Sequence, residues 1–293
     1  MFQSIKYISK PGNIINEDYV GYSDSFLFVL DGATGLGNRK PNEKGTEASR
    51  FVSLVGERLQ SCLEDLSKNT KEILQKAVRI SENYTIDKTF SDSEHAELIE
   101  HSRGQAYLSP SASISIFRIN GTLLEYYGLG DCTATIQFQD GSIRTIHEDT
   151  ITLMDQKVIA TMAELARKKA VTVREAKNEI IPFLIENRNK KNTQEGYWTL
   201  DATGIGIAHG IHLTFPLQEV QSVSLMSDGF AQICDTFYLV RNFDELHEKM
   251  AKEDLSDMVK ELFDIQDTDP DYNQYPRFKH RDDTTVIFSI LNG

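Results

Sequence analysis

Cysteine is scarce: Cys62, Cys132 and Cys234 are the only three in 293 residues, odd in number and far apart. That excludes a disulfide framework and suits a reducing compartment. With no CxxC pair and no Cys/His cluster, a zinc site is excluded too. Positive charge is also in deficit, 31 basic residues against 44 acidic, for a net charge of -13. Nucleic acid and anionic membrane surfaces require clustered Lys and Arg, so neither is an expected partner. No apolar run approaches the ~20 residues that span a bilayer. The start, Met1-Phe2-Gln3-Ser4-Ile5-Lys6-Tyr7, lacks the basic-then-apolar pattern of a signal peptide. A cytoplasmic protein is expected.

What is present is an ordinary globular composition, 40% hydrophobic and 26% charged, in a chain long enough to bury a substantial core. The pattern centres on Phe26-Leu27-Phe28-Val29-Leu30, which reads as a strand buried on both faces and stops abruptly at Asp31-Gly32. A carboxylate entering an apolar layer needs a partner or a cation. Asp140-Gly141 supplies the contrast: lying between loosely alternating segments, Thr133 to Phe138 and Ser142 to Ile146, it reads as a plain hairpin turn.

Along the chain, Ser4 to Ile8 predicts a first strand. Helical spacing follows from Gly45 through Ala48, Phe51, Val52, Val55 and Leu59, and again over Glu72 to Tyr84. Asp87 to Ser102 is polar and poorly periodic, a loop or frayed helix. Four short segments (Ala112 to Ile119, Leu123 to Leu129, Thr133 to Phe138 and Ser142 to Ile146) read as an antiparallel meander. Ile151 to Arg188 is helical and charged, with Pro182 breaking or kinking it, and Asn187 to Asn192 reads as a solvated polar run. This excursion, about 150–198, is too short for a convincing core of its own. Gly204-Ile205-Gly206 lacks a preceding strand and the full glycine pattern, so no dinucleotide cofactor is expected. Val220 to Met226 is a strand, helices lie around Phe243 to Met250 and Leu255 to Phe263, and a polar loop leads to a last strand, Arg281 to Phe288, with its acidic pair at its start. Trp198, His209 and His212 are expected to be structural.

Carboxylates recur at strand tips: Glu17/Asp18, Asp31, Asp131, Asp228 and Asp282/Asp283. Sheets gather strand ends at one edge, where such groups would repel one another unless a cation joins them. An all-oxygen set that includes no Cys, with no His beside any of the acidic motifs, selects Mg²⁺ or Mn²⁺.

The ordered set Asn16-Glu17-Asp18, Asp31-Gly32 followed by Gly35, Gly130-Asp131-Cys132, Ser227-Asp228-Gly229 and Asp282-Asp283-Thr284-Thr285-Val286 resembles the type 2C metal-dependent serine/threonine protein phosphatases. It runs from Asn13 to Phe288. The resemblance implies an α+β fold, a four-layer αββα sandwich of two mostly antiparallel sheets flanked by helix pairs, with 1–293 as one catalytic domain. It also implies hydrolysis of phosphoserine or phosphothreonine on proteins, by water activated between two Mn²⁺ or Mg²⁺ ions. Asp31 would bridge the metals, Glu17 and the Gly32 carbonyl would help hold one, and Asp228 and Asp282 the other. Asp131 with Asp228 would take a third, weaker ion, while Asp18 and Asp283 would orient ligands or bound water. No protein nucleophile is needed, in keeping with the absence of a Cys-x5-Arg loop. The implied partners are a phosphoprotein substrate and an opposing Ser/Thr kinase.

The chain departs from that pattern where relatives carry a phosphate-gripping Arg four residues before the motif glutamate. Asn13 stands there, able to hydrogen-bond phosphate but not to clamp it with charge. Lys10, Arg39 and Lys40 are candidates to compensate. Ala33 stands where eukaryotic members tend to have His. Two alternatives therefore stay open: a weakened member that binds phosphoproteins as a regulator, and a phosphatase of small metabolites.

Overall fold

A computed structural model describes residues 1–37, 41, 45–78 and 92–291. The ten strands are β1 (Phe2–Lys10), β2 (Asp18–Tyr22), β3 (Phe26–Ala33), β4 (Ser111–Asn120), β5 (Leu123–Leu129), β6 (Thr133–Phe138), β7 (Ile143–Ile146), β8 (Ile211–Pro216), β9 (Val220–Met226) and β10 (Thr284–Leu291). They form two five-stranded sheets, ordered β1-β10-β9-β6-β7 and β2-β3-β4-β5-β8. Every neighbouring pair is antiparallel.

The apolar run of β3 shows why the layers stack as they do. Successive side chains point to opposite faces, so Phe26, Phe28 and Leu30 meet the helices α1 (Glu47–Cys62) and α2 (Thr70–Val78). Leu27 and Val29 instead meet Val223, Leu225 and Ile287 of the other sheet. All five are fully buried, as a strand covered on both faces requires. On the far side, α7 (Asp228–Asp235), α8 (Phe243–Lys252) and α9 (Leu255–Thr268) cover Met226, Val286 and Phe288. The result is the expected four-layer αββα sandwich.

Several expectations need correction. The four-strand meander divides into two hairpins in different sheets: β4–β5 in one, β6–β7 in the other, with the chain crossing between them at Gly130. Gly130 has φ +85, and a Cβ there would lie 2.1 Å from Ser113 Oγ, so the crossing needs glycine. The edge strand β8 was not anticipated. Of the stretch read as a loop or frayed helix, Asp92–Gly104 is a helix, α3, and the remainder, like the end of the helix expected to Tyr84, lies outside the described residues.

The excursion comprises α4 (Asp149–Lys169), α5 (Val173–Ala176) and α6 (Ile181–Asn189). Pro182 breaks nothing; it sits in the first turn of α6, where its missing N–H costs no bond. The excursion does have a small core, Val158, Met162, Ala166, Val173, Ala176 and Ile180, completed by Tyr272 from the segment before β10. That segment is ordered by Arg277, which donates to Asp269 Oδ2 (2.9 Å), Asp269 O (2.8 Å) and Gln266 O (3.1 Å) and stacks over Tyr272. Among the described residues no helix is long and apolar enough to cross a membrane.

One polar group inside the α8 layer makes a test. His247 is fully buried, with Nδ1 2.6 Å from Thr135 Oγ1 and Nε2 2.8 Å from Ser222 Oγ, and burial pulls its pKa down from 6.5 to about 4. The unfolded chain therefore binds this proton more readily than the folded one. Stability should fall as pH drops from 6.5 towards 4, by on the order of 3 kcal/mol. His247→Ala should cost about 2–4 kcal/mol at pH 7 and flatten that slope, as read from urea midpoints at several pH values.

Candidate active site

The site grows from strand register. Asp31 follows the apolar run of β3, lies opposite Asp18 on β2 and Ser113 on β4, and shares its parity with Leu27 and Val29. Directly opposed side chains point the same way, so Asp18 and Asp31 both face the gap between the sheets. The chain crossing after Gly130 brings Asp131 alongside, where Ser113 Oγ donates to its Oδ1 at 2.5 Å. From the other sheet, β9 ends at Met226, Ser227 is the N-cap residue of α7, and the helix begins at Asp228, whose N–H donates to Asp31 Oδ2 at 3.1 Å. A helix's first-turn amide beside a carboxylate is favourable. Asp282 enters just ahead of β10. Asp31, Gly32, Asp131, Asp228 and Asp282 all line one cavity.

The electrostatics are strained. Burial raises the Asp31 pKa well above the usual carboxylate range, and the charges of Asp18, Asp131 and Asp282 raise it further. Asp228 is raised by burial and by Asp31, Asp282 and Asp131, with Lys279 opposing. Asp18, paired across the strands with Asp31, is raised first by burial and further by Asp283, Asp228 and Asp282, with the Thr285 hydroxyl opposing, and neither of its buried carboxylate oxygens has a partner within hydrogen-bonding geometry. An orphaned carboxylate beside further acidic groups is the signature of a missing positive charge. Among the described residues, no three acidic, His or Cys side chains are drawn tightly enough together to close on an ion as they stand. The fit to a hard divalent cation therefore rests on the all-oxygen donors and the unsatisfied Asp18.

The remaining predicted residues divide. Glu17 does not line the cavity: the Thr34 hydroxyl donates to its Oε1 at 2.5 Å, and its own carbonyl packs where a Gly32 Cβ would stand. The structure thus sets Asp18, rather than Glu17, against Asp31. Asp283 accepts from the amides of Gly12 and Glu17, each at 2.7 Å, and so ties the β1–β2 loop to β10. Asn13 is exposed and does not line the cavity, and Lys10 is exposed as well. Arg39 and Lys40 lie outside the described residues. Ala33 does line the cavity.

Sequence reasoning named none of the residues of the other wall as site residues. Ile151, Met154 and Asp155 of α4, Leu184, Asn187 and Arg188 of α6, and Phe278 and Lys279 from the Arg277-ordered segment complete the lining. Burial raises the Asp155 pKa to about 6, with Arg188 opposing and Asp131 and Asp282 reinforcing. Helical spacing groups these residues by face but does not say what the face meets. The supposedly solvated run is also misplaced: Lys191 is only 2% exposed and donates to Ser109 O at 2.8 Å. Trp198 is half-buried and stacks on His209 with ring centroids 3.4 Å apart.

The Protein phosphatase 2C family profile matches residues 12–265. The chain belongs to the protein phosphatase 2C family. By class it is a phosphoester hydrolase of the protein serine/threonine phosphatase type. The fold is similar to that of the serine/threonine phosphatase Stp1 from Staphylococcus aureus, with TM-score 0.51, 15% identity, and coverage of 100% of this chain and 96% of that one. For the Mycobacterium tuberculosis serine/threonine phosphatase PstP/Ppp the values are TM-score 0.51, 14% identity and 100% of both chains. The catalytic domain of PstP in complex with two manganese ions gives TM-score 0.50, 16% identity and 99% of both. A comparison with curated proteins finds no match.

Within this protein phosphatase 2C chain, Asp18 provides a direct test of the charge deficit. Its folded-state pKa is raised, so its penalty is absent below the unfolded carboxylate pKa of ~4 and grows as pH rises through the folded value. In chelator, Asp18→Asn should therefore stabilise the protein at pH 7 to 8 by ~1–3 kcal/mol, on the order of 5 °C in melting temperature, and have little effect near pH 4. With Mn²⁺ added the advantage should shrink or reverse. Thermal melts across pH, with and without the ion, check both arms.

Proposed function

We propose that this chain hydrolyses phosphoserine and phosphothreonine esters on proteins with the help of two Mn²⁺ or Mg²⁺ ions, residues 1–293 acting as one catalytic domain. The observation that carries the reading is the meeting of Asp31, Asp131, Asp228 and Asp282 in one cavity above the orphaned Asp18. A binding module has no chemical need for so much buried negative charge.

In this reading the carboxylates of Asp31, Asp228 and Asp282 and the Gly32 carbonyl would hold the ions, with Asp131 and Asp228 offering a third, weaker position. Asp18 backs Asp31 and adds charge from below, a position that favours it over Glu17 as a participant. When bound, the ions supply Lewis acidity and a water made acidic enough to ionise near neutral pH. The Asp228 amide orients Asp31 through its hydrogen bond to Oδ2 and partly offsets the rise in its pKa. Ser113 fixes Asp131 against the crossing. The walls from α4 and α6, with Leu184, Met154 and Phe278, restrict water around the reacting ester. Unpaired Cys62, Cys132 and Cys234 suit a reducing, cytoplasmic setting, where a Ser/Thr kinase would supply the substrate.

Turnover of p-nitrophenyl phosphate with Mn²⁺ should fall at least about 100-fold in Asp31→Ala, whose removal takes away the central carboxylate. Equal rates in the two proteins, or no turnover by the wild type with either ion, would defeat the enzymatic reading and leave the regulator. A panel of phosphopeptides against phosphorylated metabolites then separates the two enzymatic alternatives by kcat/KM.

A further inference from the structure

The cavity is acidic, yet a phosphate ester must enter it, and two cationic side chains line it among the described residues, Arg188 and Lys279. They differ in availability. Lys279 Nζ is held by Asp282 Oδ1 at 2.6 Å. Arg188, half-buried, makes no side-chain hydrogen bond or ion pair with any described residue. Its charge is felt by Asp155 in the same cavity, whose pKa it lowers, but with no hydrogen bond to a described residue its planar fork of donors is open to an oxyanion.

Its backbone is far from free. Arg188 lies in the last turn of α6, where a cation complements the helix dipole. The residues after it are fastened to both neighbouring segments. The buried Lys191 donates to Ser109 O at 2.8 Å and to Ser109 Oγ at 3.0 Å. Asn192 N–H donates to Tyr197 O at 2.7 Å, and its side-chain amide to Asp201 Oδ2 at 2.8 Å. Tyr197, Thr199 and Ser111, which flank these fastenings, line the same cavity as Arg188. The end of α6 is thus bolted to the cavity wall while the Arg188 guanidinium makes no hydrogen bond to a described residue. Such a built support for open donors is what a substrate anchor requires.

We infer that Arg188 is the residue that grips the substrate phosphate, from a helix of the excursion rather than from the β1–β2 loop, where Asn13 is exposed and outside the cavity. The inference rests on the phosphatase reading above and deepens it. The group recognised is a phosphate monoester dianion, through a charged, forked pair of hydrogen bonds.

The test measures binding as well as turnover. For the Mn²⁺-loaded protein, Arg188→Ala should raise KM for a phosphoserine peptide, and weaken inhibition by inorganic phosphate, by about 10- to 100-fold. The change in kcat should be smaller. Arg188→Lys should recover part of the loss through charge alone, without the fork. Lys190→Ala on the same helix, whose ammonium pairs with Glu186 at 2.9 Å, removes equal charge outside the cavity and should leave both constants near wild type. Thermal melts of Arg188→Ala should stay close to wild type, because only the helix-dipole and Asp155 charge interactions, and no hydrogen bond to a described residue, are lost. Unchanged KM and phosphate inhibition in Arg188→Ala would overturn the inference while leaving the phosphatase reading intact. Were the wild type inactive, calorimetric titration of the same phosphopeptide would still decide: equal affinity in wild type and Arg188→Ala overturns it, and a 10-fold or greater loss upholds it.

Discussion

Two carboxylates facing each other across one pair of strands set the terms for the rest of this molecule. The register that pairs Asp18 with Asp31 gives both the parity of Leu27 and Val29, and so directs them into the gap between the sheets. An apolar interior can tolerate that only at its rim, where the strands end and charge can be compensated. The same rim receives Asp228 at the start of α7, Asp131 from the crossing at Gly130, and Asp282 ahead of β10. The sandwich supplies the walls, but the chemistry is concentrated where its packing stops.

Compensation within the chain comes from elements outside the sandwich. Lys279 reaches Asp282 from a segment that has almost no regular structure, yet that segment is held by the buried Arg277, which satisfies the carbonyls and the carboxylate around Asp269. Tyr272, under the Arg277 guanidinium, also closes the core of the excursion. The helices α4 to α6 and the approach to β10 therefore form one packed unit, and its inner surface is the second wall of the cavity. A chain of net charge -13 brings its cations to the one place where an anion must be received.

Much of this was legible in the residues. The uninterrupted apolar run of β3 announced a strand covered on both faces, and its break at Asp31 distinguished that Asp-Gly from the hairpin turn at Asp140-Gly141, where Gly141 takes φ +86 between β6 and β7. Parity was less accessible. Glu17 and Asp18 are adjacent at the start of a strand, and a shift of one residue exchanges which of them faces the gap. Nothing in Asn16-Glu17-Asp18 fixes that parity; the pairing with β3 does. The meander failed for a related reason: Leu123 to Phe138 alternates well enough throughout, and only the positive φ of Gly130, set by close approach to Ser113, sends the chain to the second sheet.

The polar run from Asn187 to Asn192 was the least readable stretch because its charges do three different things. Lys190 pairs with Glu186 near the surface, Lys191 is buried to hold Ser109, and Arg188 turns into the cavity. Charge alone predicts solvent for all three. What separates them is where α6 ends, with Arg188 in its last turn, Lys190 capping it and Lys191 beyond it in a bridge to Tyr197, combined with the position of α6 against the sandwich, which is a tertiary fact. If the phosphate is gripped from this helix, recognition of the ester depends on how the excursion packs as well as on the acidic strand ends. Loosening of the Val158, Met162 and Ile180 cluster would then reach the substrate through α6 without disturbing the carboxylates. The sandwich would hold the reacting groups, and the excursion would decide which phosphate is presented to them.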